Sequence, residues 1–168
     1  MSYIVIDQGT SSTKAFLFSA KGKILHQKKK KYKLETPKPF HIECDPLVIL
    51  NDVVYLFSEM ASKANNKDIY GIGFAFQRST FLFWEKSTCM PVTPAISWQD
   101  SRSSVILDKF KKYEEKVWEI TGAPLSAHFG GPKYYHMIQN NRALKKKIEK
   151  GEVYFGPLSA FVVHAITG

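Results

Sequence analysis

The sequence predicts a mixed α/β fold, and three observations carry that prediction. Three runs of β-type residues, around "YIVI", "TKAFLF" and "ILHQ", lie within the first 34 positions. One long amphipathic stretch follows near residues 46 to 64, and strand-like and helix-like segments then alternate to the end. A meander of three strands followed by such alternation implies a mixed sheet with helices packed on it.

Each element has a local reason. Tyr3 to Ile6 is a short apolar run of the kind a buried central strand uses. Thr13 to Phe18 resumes β-type residues, and "SAKGK" (Ser19 to Lys23) reads as a hairpin turn. Ile24 to Leu34 continues as a third strand, and the two prolines of "ETPKPF" then break regular structure. Asp45-Pro46 announces a helix, with Asp as N-cap and Pro where its missing N–H costs nothing. Leu47, Leu50, Val54, Phe57, Ala61 and Ala64 follow at spacings of three and four and predict its buried stripe.

Ile69 to Phe76 and Thr80 to Trp84 read as strands joined by "QRS", and Ala95 to Trp98 as a shorter extended segment. Val105 to Ile120 reads as one amphipathic helix, stopped by Gly122 and Pro124. A helix near Lys133 to Asn140, a lysine-faced helix around Leu144 and Ile148, a strand at Glu152 to Phe155 and an apolar helix from Leu158 to Ile166 complete the order. Trp84 and Trp118 fall where strand and helix faces need bulk.

Composition narrows the class. At 168 residues the expectation is one good core. No apolar run is long enough to span a bilayer, and "MSYIVID" lacks the features of a signal peptide. Cys44 and Cys89 make neither a disulfide framework nor a zinc site and read as free thiols of a cytoplasmic protein. His26, His41, His136 and His164 have no ligand-type spacing to one another or to a cysteine. The net charge of +9 admits a basic nucleic-acid-binding protein. However, the lysines concentrate in Gln27 to Lys33 and Asn140 to Lys150, where an edge strand and the wet side of a helix account for them. Only Tyr32 interleaves an aromatic with them, so nucleic acid is not the expected partner.

The stretch with the most chemistry is Asp7-Gln8-Gly9-Thr10-Ser11-Ser12, between the first two strands. Gly9 permits close approach, Thr10, Ser11 and Ser12 add hydroxyl donors to the amides, and Lys14 can bring a cation. Asp7 is placed for a divalent metal held largely through water. No helix follows and the Gly-x-x-x-x-Gly-Lys spacing is absent, so this is not a Walker-type loop. Taken alone, the segment fits a phosphate site or a hairpin with polar turn residues.

Together with "FHIECDP", "FQRSTFLFWEKSTCMPV", "AISWQDSR", "TGAPLSAHFGGPK" and "FGPLSAFVVHAITG", the turn "DQGTSSTKA" resembles the FGGY family of carbohydrate kinases. These segments cover nearly the whole chain in order and resemble the N-terminal domain of that family, closest in motifs to its glycerol kinases. The resemblance implies an actin-like ATPase (ribonuclease H-like) fold and ATP-dependent phosphorylation of a sugar or polyol hydroxyl, with ATP and Mg²⁺ as cofactors. By the same resemblance Thr10, Ser11, Ser12 and Lys14 would contact nucleotide phosphates and Asp7 would hold the metal. Gln77, Arg78 and Ser79 would meet the polyol hydroxyls, and Trp98 would cover its C–H face.

Two positions depart from the pattern. Glycerol kinases carry a glutamate after the Gln-Arg pair, where this chain has Ser79, and a tyrosine where it has His128. Either the substrate is another polyol or a ketose, or His128 is a surface residue of a loop that has drifted. The family's catalytic aspartate and adenine pocket lie beyond the equivalent of Gly168, so no catalytic base is expected in residues 1–168. Asp100 reads as a structural partner of Arg102. The chain is then expected to be an N-terminal domain, a truncated product or one piece of a split enzyme. A complementary C-terminal half or self-association through uncovered apolar surface would follow. A binding or regulatory module of the same fold, without activity, is the alternative.

Overall fold

Ser2 to Gln8 form the first strand, and their burial alternates as a strand with one fully covered face requires. The computed structural model describes residues 1–64 and 69–168. In chain order the strands are β1 (Ser2–Gln8), β2 (Ser12–Ser19), β3 (Ile24–Lys31), β4 (Glu43–Cys44), β5 (Ile69–Phe76), β6 (Phe81–Glu85), β7 (Ala95–Ile96) and β8 (Val153–Pro157). The helices are α1 (Pro46–Lys63), α2 (Leu107–Phe110), α3 (Glu114–Thr121), α4 (Gly130–Asn140), α5 (Arg142–Glu149) and α6 (Leu158–Thr167).

The chain divides into two compact units, Met1–Leu34 with Asp45–Gln77 and Glu35–Cys44 with Arg78–Gly168. Each carries its own four-stranded sheet, ordered β3-β2-β1-β5 in the first and β4-β7-β6-β8 in the second. The predicted meander is present, with β1, β2 and β3 antiparallel, and β5 makes the sheet mixed by running parallel to β1. The strands on either side of "QRS" do not share a sheet: β5 belongs to the first and β6 to the second. Among the described residues no helix is long and apolar enough to cross a membrane.

In the first unit Ile4, Ile6, Ala15 and Leu17 of the sheet and Ile49, Val53, Leu56 and Met60 of α1 form a sealed core. The helix starts as the sequence requires, with the Asp45 carboxylate accepting the Leu47 N–H at 2.8 Å and Pro46 in the first turn. Its predicted buried stripe is wrong. Of that stripe only Ala64 is buried, and Val54 is 46% exposed. Both stripes have helical spacing because α1 is apolar around much of its circumference, so periodicity could not choose between them. Charged groups fix the rotation instead. Lys30 of β3 pairs with the buried Asp52, and Lys28 reaches Tyr55 and Glu59. These lysines, on an edge strand as expected, thus also bind the helix to the sheet. At the opposite edge β5 leaves Tyr70, Ile72 and Phe74 exposed.

In the second unit Leu82, Phe83 and Trp84 of β6 are buried, and Phe83 packs with Leu144 and Val153. Leu158, Phe161 and Val162 of α6 complete the core. A side chain at Gly130 would put its Cβ 2.7 Å from the Phe81 ring, so glycine is what lets α4 begin against β6. The single helix predicted from Val105 to Ile120 is broken into a 3₁₀ turn at Arg102–Ile106, α2, a second 3₁₀ turn at Lys111–Tyr113, and α3. Of its apolar positions only Ile106 is buried, so no continuous surface enforces one axis. Trp118 on α3 is 57% exposed, against the expectation that it fills a helix face. Gly122 ends α3 in the left-handed conformation, as its position in the sequence suggests.

Replacing Asp45 with Ala should lower the unfolding free energy by about 1 kcal/mol, the usual cost of losing such a cap. Urea denaturation checks it, and an unchanged midpoint would contradict the assigned role.

Candidate functional site

The candidate residues fall in both units. In the first, parallel pairing aligns Asp7 with Ala75 and Gln8 with Phe76, so the chain leaves β1 and β5 at the same end of the sheet. The Gln77 N–H donates to the Gln8 carbonyl at 2.8 Å, extending that alignment by one residue. The turn after β1 closes on itself, its Gly9 N–H donating to the Ser12 carbonyl at 3.0 Å. Thr10 is half-buried, Ser11 exposed and Ser12 buried.

A polar brace holds this turn. The Tyr32 hydroxyl donates to the Gly9 carbonyl and accepts from the side-chain amides of Gln8 and Gln77, at 2.9 and 3.0 Å. Gln77 also donates to the Gln8 side-chain carbonyl at 3.2 Å, so it is brought together with the turn. Asp7 and Lys14 are cross-strand partners, 3.4 Å apart and about two-fifths exposed. Such a pair adds at most about 1 kcal/mol of stability. Its significance is an accessible acid and cation beside a turn of hydroxyls. A Cβ at Gly9 would meet only the Ser12 carbonyl at an ordinary 3.5 Å, and Gly9 does not need a left-handed backbone. Internal packing therefore does not demand glycine there, whereas close approach of a ligand from outside would. For a divalent metal the donor set is one carboxylate, since no group of three metal-ligating residues occurs among the described residues. That fits magnesium held largely by phosphate oxygens and water rather than by a protein cage.

In the second unit Arg78 is exposed, while Ser79, Trp98 and His128 are brought together. The Trp98 N–H donates to Thr80 Oγ1 at 3.1 Å, and His128 Nδ1 lies 2.7 Å from the Trp98 carbonyl. A carbonyl only accepts, so Nδ1 carries a proton, and Nε2 is the ring nitrogen left to accept in that tautomer. The two rings stand 6.3 Å apart. Ser79 has φ +61°, a left-handed backbone rare outside glycine.

Behind these residues lies a charged centre. Asp100 is fully buried, accepts the Ile42 N–H and is bridged by Arg102, which also pairs with Glu43 at 2.6 Å. Asp100 is thus the structural partner of Arg102 that the sequence suggests. Burial alone would lower the Arg102 pKa, but Asp100 and Glu43 outweigh it and hold the guanidinium above its ordinary value. Lys133, also fully buried, donates from Nζ to the carbonyls of Ser97 (2.8 Å), His128 (2.9 Å) and Ser79 (3.0 Å). Burial pushes its amine down to about 8, opposed by Asp100 and aided by Arg102. His136 and His41 are both held below the ordinary imidazole value, first by burial and then by Arg102. The buried Nδ1 of His136 has no hydrogen-bond partner among the described residues.

Sequence reasoning missed Tyr32 and Lys133. Tyr32, noted there only as an aromatic among lysines, is the hub of the brace. Lys133 carried one available signal: it lies one turn into a helix opened by Gly130-Gly131-Pro132, with no acidic residue within a helical turn to pair with it.

Residues 2–168 match the model of the N-terminal domain of the FGGY family of carbohydrate kinases. The chain belongs to that family. It is 35% identical to glycerol kinase 2 of Thermotoga maritima over 173 residues, covering all of this chain and 35% of that protein. Against a Bacillus cereus glycerol kinase the identity is 34%, over 97% of this chain and 34% of the relative. The crystal structure of Plasmodium falciparum glycerol kinase with ADP superposes with a TM-score of 0.86 at 27% identity, over 96% of this chain and 34% of that one. A xylulose kinase from Lactobacillus acidophilus, at 21% identity and a TM-score of 0.83, shares the fold. This FGGY-family chain spans about a third of the length of the curated relatives it matches.

The histidines set a pH dependence. Because His41 and His136 bind protons less readily folded than unfolded, stability should fall as pH drops below 6.5, where the unfolded chain takes up protons first. Unfolding measured from about pH 7 to about pH 5 should show a shallower loss for His136→Leu than for the wild type. Equal slopes would contradict this.

Proposed function

We propose that this chain supplies the phosphate turn and the polyol-binding loops of an ATP-dependent kinase acting on a hydroxyl of a sugar or polyol. The observation that carries the reading is the closed, braced Gly9–Ser12 turn, with Asp7 and Lys14 beside it and a glycine that internal packing does not require. The ADP in the Plasmodium falciparum glycerol kinase structure supports a nucleotide as its ligand.

In this reading Thr10, Ser11, Ser12 and Lys14 bind nucleotide phosphates through hydroxyls, amides and one ammonium. Asp7 holds magnesium through water, and the ion, when bound, neutralises charge on the phosphoryl oxygens. Trp98 covers the C–H face of the polyol, and His128 offers Nε2 as an acceptor for a hydroxyl proton. That acceptor compensates in part for the carboxylate absent at Ser79. Arg78 contributes donors to substrate hydroxyls, whereas both side-chain N–H groups of Gln77 are taken by the Gln8 carbonyl oxygen and the Tyr32 hydroxyl, so Gln77 serves the brace. No base for the hydroxyl proton is assigned among the described residues. Asp100, the carboxylate nearest these loops in sequence, is sealed from solvent and engaged with Arg102 and the Ile42 N–H. Two cysteines that make no disulfide framework fit a reducing compartment, and we assign the protein to the cytoplasm.

Calorimetric titration with ATP, with and without magnesium, tests the reading. Magnesium-dependent binding is expected, weakened about tenfold or more by Asp7→Ala and by Gly9→Ala. Gly9→Ala should leave stability within about 0.5 kcal/mol. Affinity equal in wild type and both variants would overturn the assignment.

A further inference from the structure

We propose that Lys133 is the positioning residue of the polyol-binding loops, fixing Ser79, Trp98 and His128 in one arrangement by gathering three backbone carbonyls onto a single amine. This rests on the reading of those loops as a substrate site, and it names the residue on which their geometry depends.

An ammonium has three N–H donors, and the Lys133 amine has three acceptors, the carbonyls of Ser79, Ser97 and His128, at 2.8 to 3.0 Å. A neutral amine would leave one of them without a donor, and a planar guanidinium could not aim three donors at one apex. The side chain is fully buried, so water cannot take over any of the three bonds.

Each carbonyl belongs to a different loop segment. Ser79 holds a left-handed backbone that a non-glycine residue adopts only when its surroundings enforce it, and the bond to its carbonyl is such a restraint. Ser97 precedes Trp98, whose own N–H and carbonyl are tied to Thr80 and His128. His128 is therefore held twice, through its ring to Trp98 and through its carbonyl to Lys133. The segments at 79, 97 and 128 are far apart in sequence, and one side chain joins all three.

Burying an amine is unfavourable, and Asp100 offsets it only in part. An apolar residue could fill the same volume but could not set the direction of three carbonyls. A charge at this depth is consistent with a need for exact loop placement, as binding sites require.

The test is nuclear magnetic resonance on the ¹⁵N-labelled chain and its Lys133→Met variant, titrated with glycerol and with xylitol in turn. In the wild type the Trp98 indole and the His128 amide should move with polyol. In the variant those two signals should already be displaced without ligand, polyol affinity should drop about tenfold or more, and the amides of α5 and α6 should stay in place. Undisplaced Trp98 and His128 signals, or unchanged affinity, would overturn the proposal. If neither polyol binds the wild type, the substrate reading fails on its own, and the ligand-free positions of Trp98 and His128 decide the positioning role. If the variant does not fold, the wild-type Lys133 amine decides: its protons should exchange slowly and give a resolved signal, and protons averaged with water would overturn the inference.

Discussion

Backbone carbonyls and amides that lie in irregular loops still need hydrogen-bond partners when buried, and in the second unit buried charges supply them. Between Glu85 and Gly130 there is little regular structure beyond the two-residue β7, short 3₁₀ turns and the brief helices α2 and α3. Asp100 accepts the Ile42 N–H, Arg102 joins Asp100 to Glu43, and Lys133 takes three carbonyls. Two cations and two carboxylates thus do for these loops what a sheet ladder does elsewhere. Removing one partner would leave the others charged and buried, which is far costlier than losing a surface pair.

The first unit solves the same problem with register. Parallel pairing of β1 and β5 fixes where both strands end, and Tyr32 with two glutamine side chains holds the turn from β1 to β2 in uncharged hydrogen bonds. The acid and the cation, Asp7 and Lys14, stay accessible rather than being spent on the core. The turn of one unit therefore keeps its charge accessible, while the loops of the other are shaped by buried charge. Both arrangements suit a family whose chemistry depends on positioning and on neutralising phosphoryl charge.

Much of this was legible in the sequence, for physical reasons. The meander, the Asp45-Pro46 helix start and the Gly122 stop follow local rules that tertiary structure did not override. The motif order sufficed to identify the family. The buried face of α1 was not legible, because its apolar residues offer two stripes and the choice falls to Lys30 and Asp52, distant in sequence. The broken helix before Gly122 misled for a related reason: amphipathic spacing promised a face that almost nothing covers. The division into two units was hidden because Phe76 and Thr80 look like parts of one strand pair. Lys133 was hard to single out because its partners are backbone carbonyls, which leave no trace in side-chain patterns, and the lack of a nearby acid in its helix was its one sign.

The most direct measurement is a crystal structure of the chain grown with MgADP and a polyol. The diphosphate is expected against residues 9–14 with magnesium near Asp7, and the polyol against Trp98 and His128. Nucleotide density on the lysines of β3 or α5 instead, with nothing at the Gly9–Ser12 turn, would contradict it.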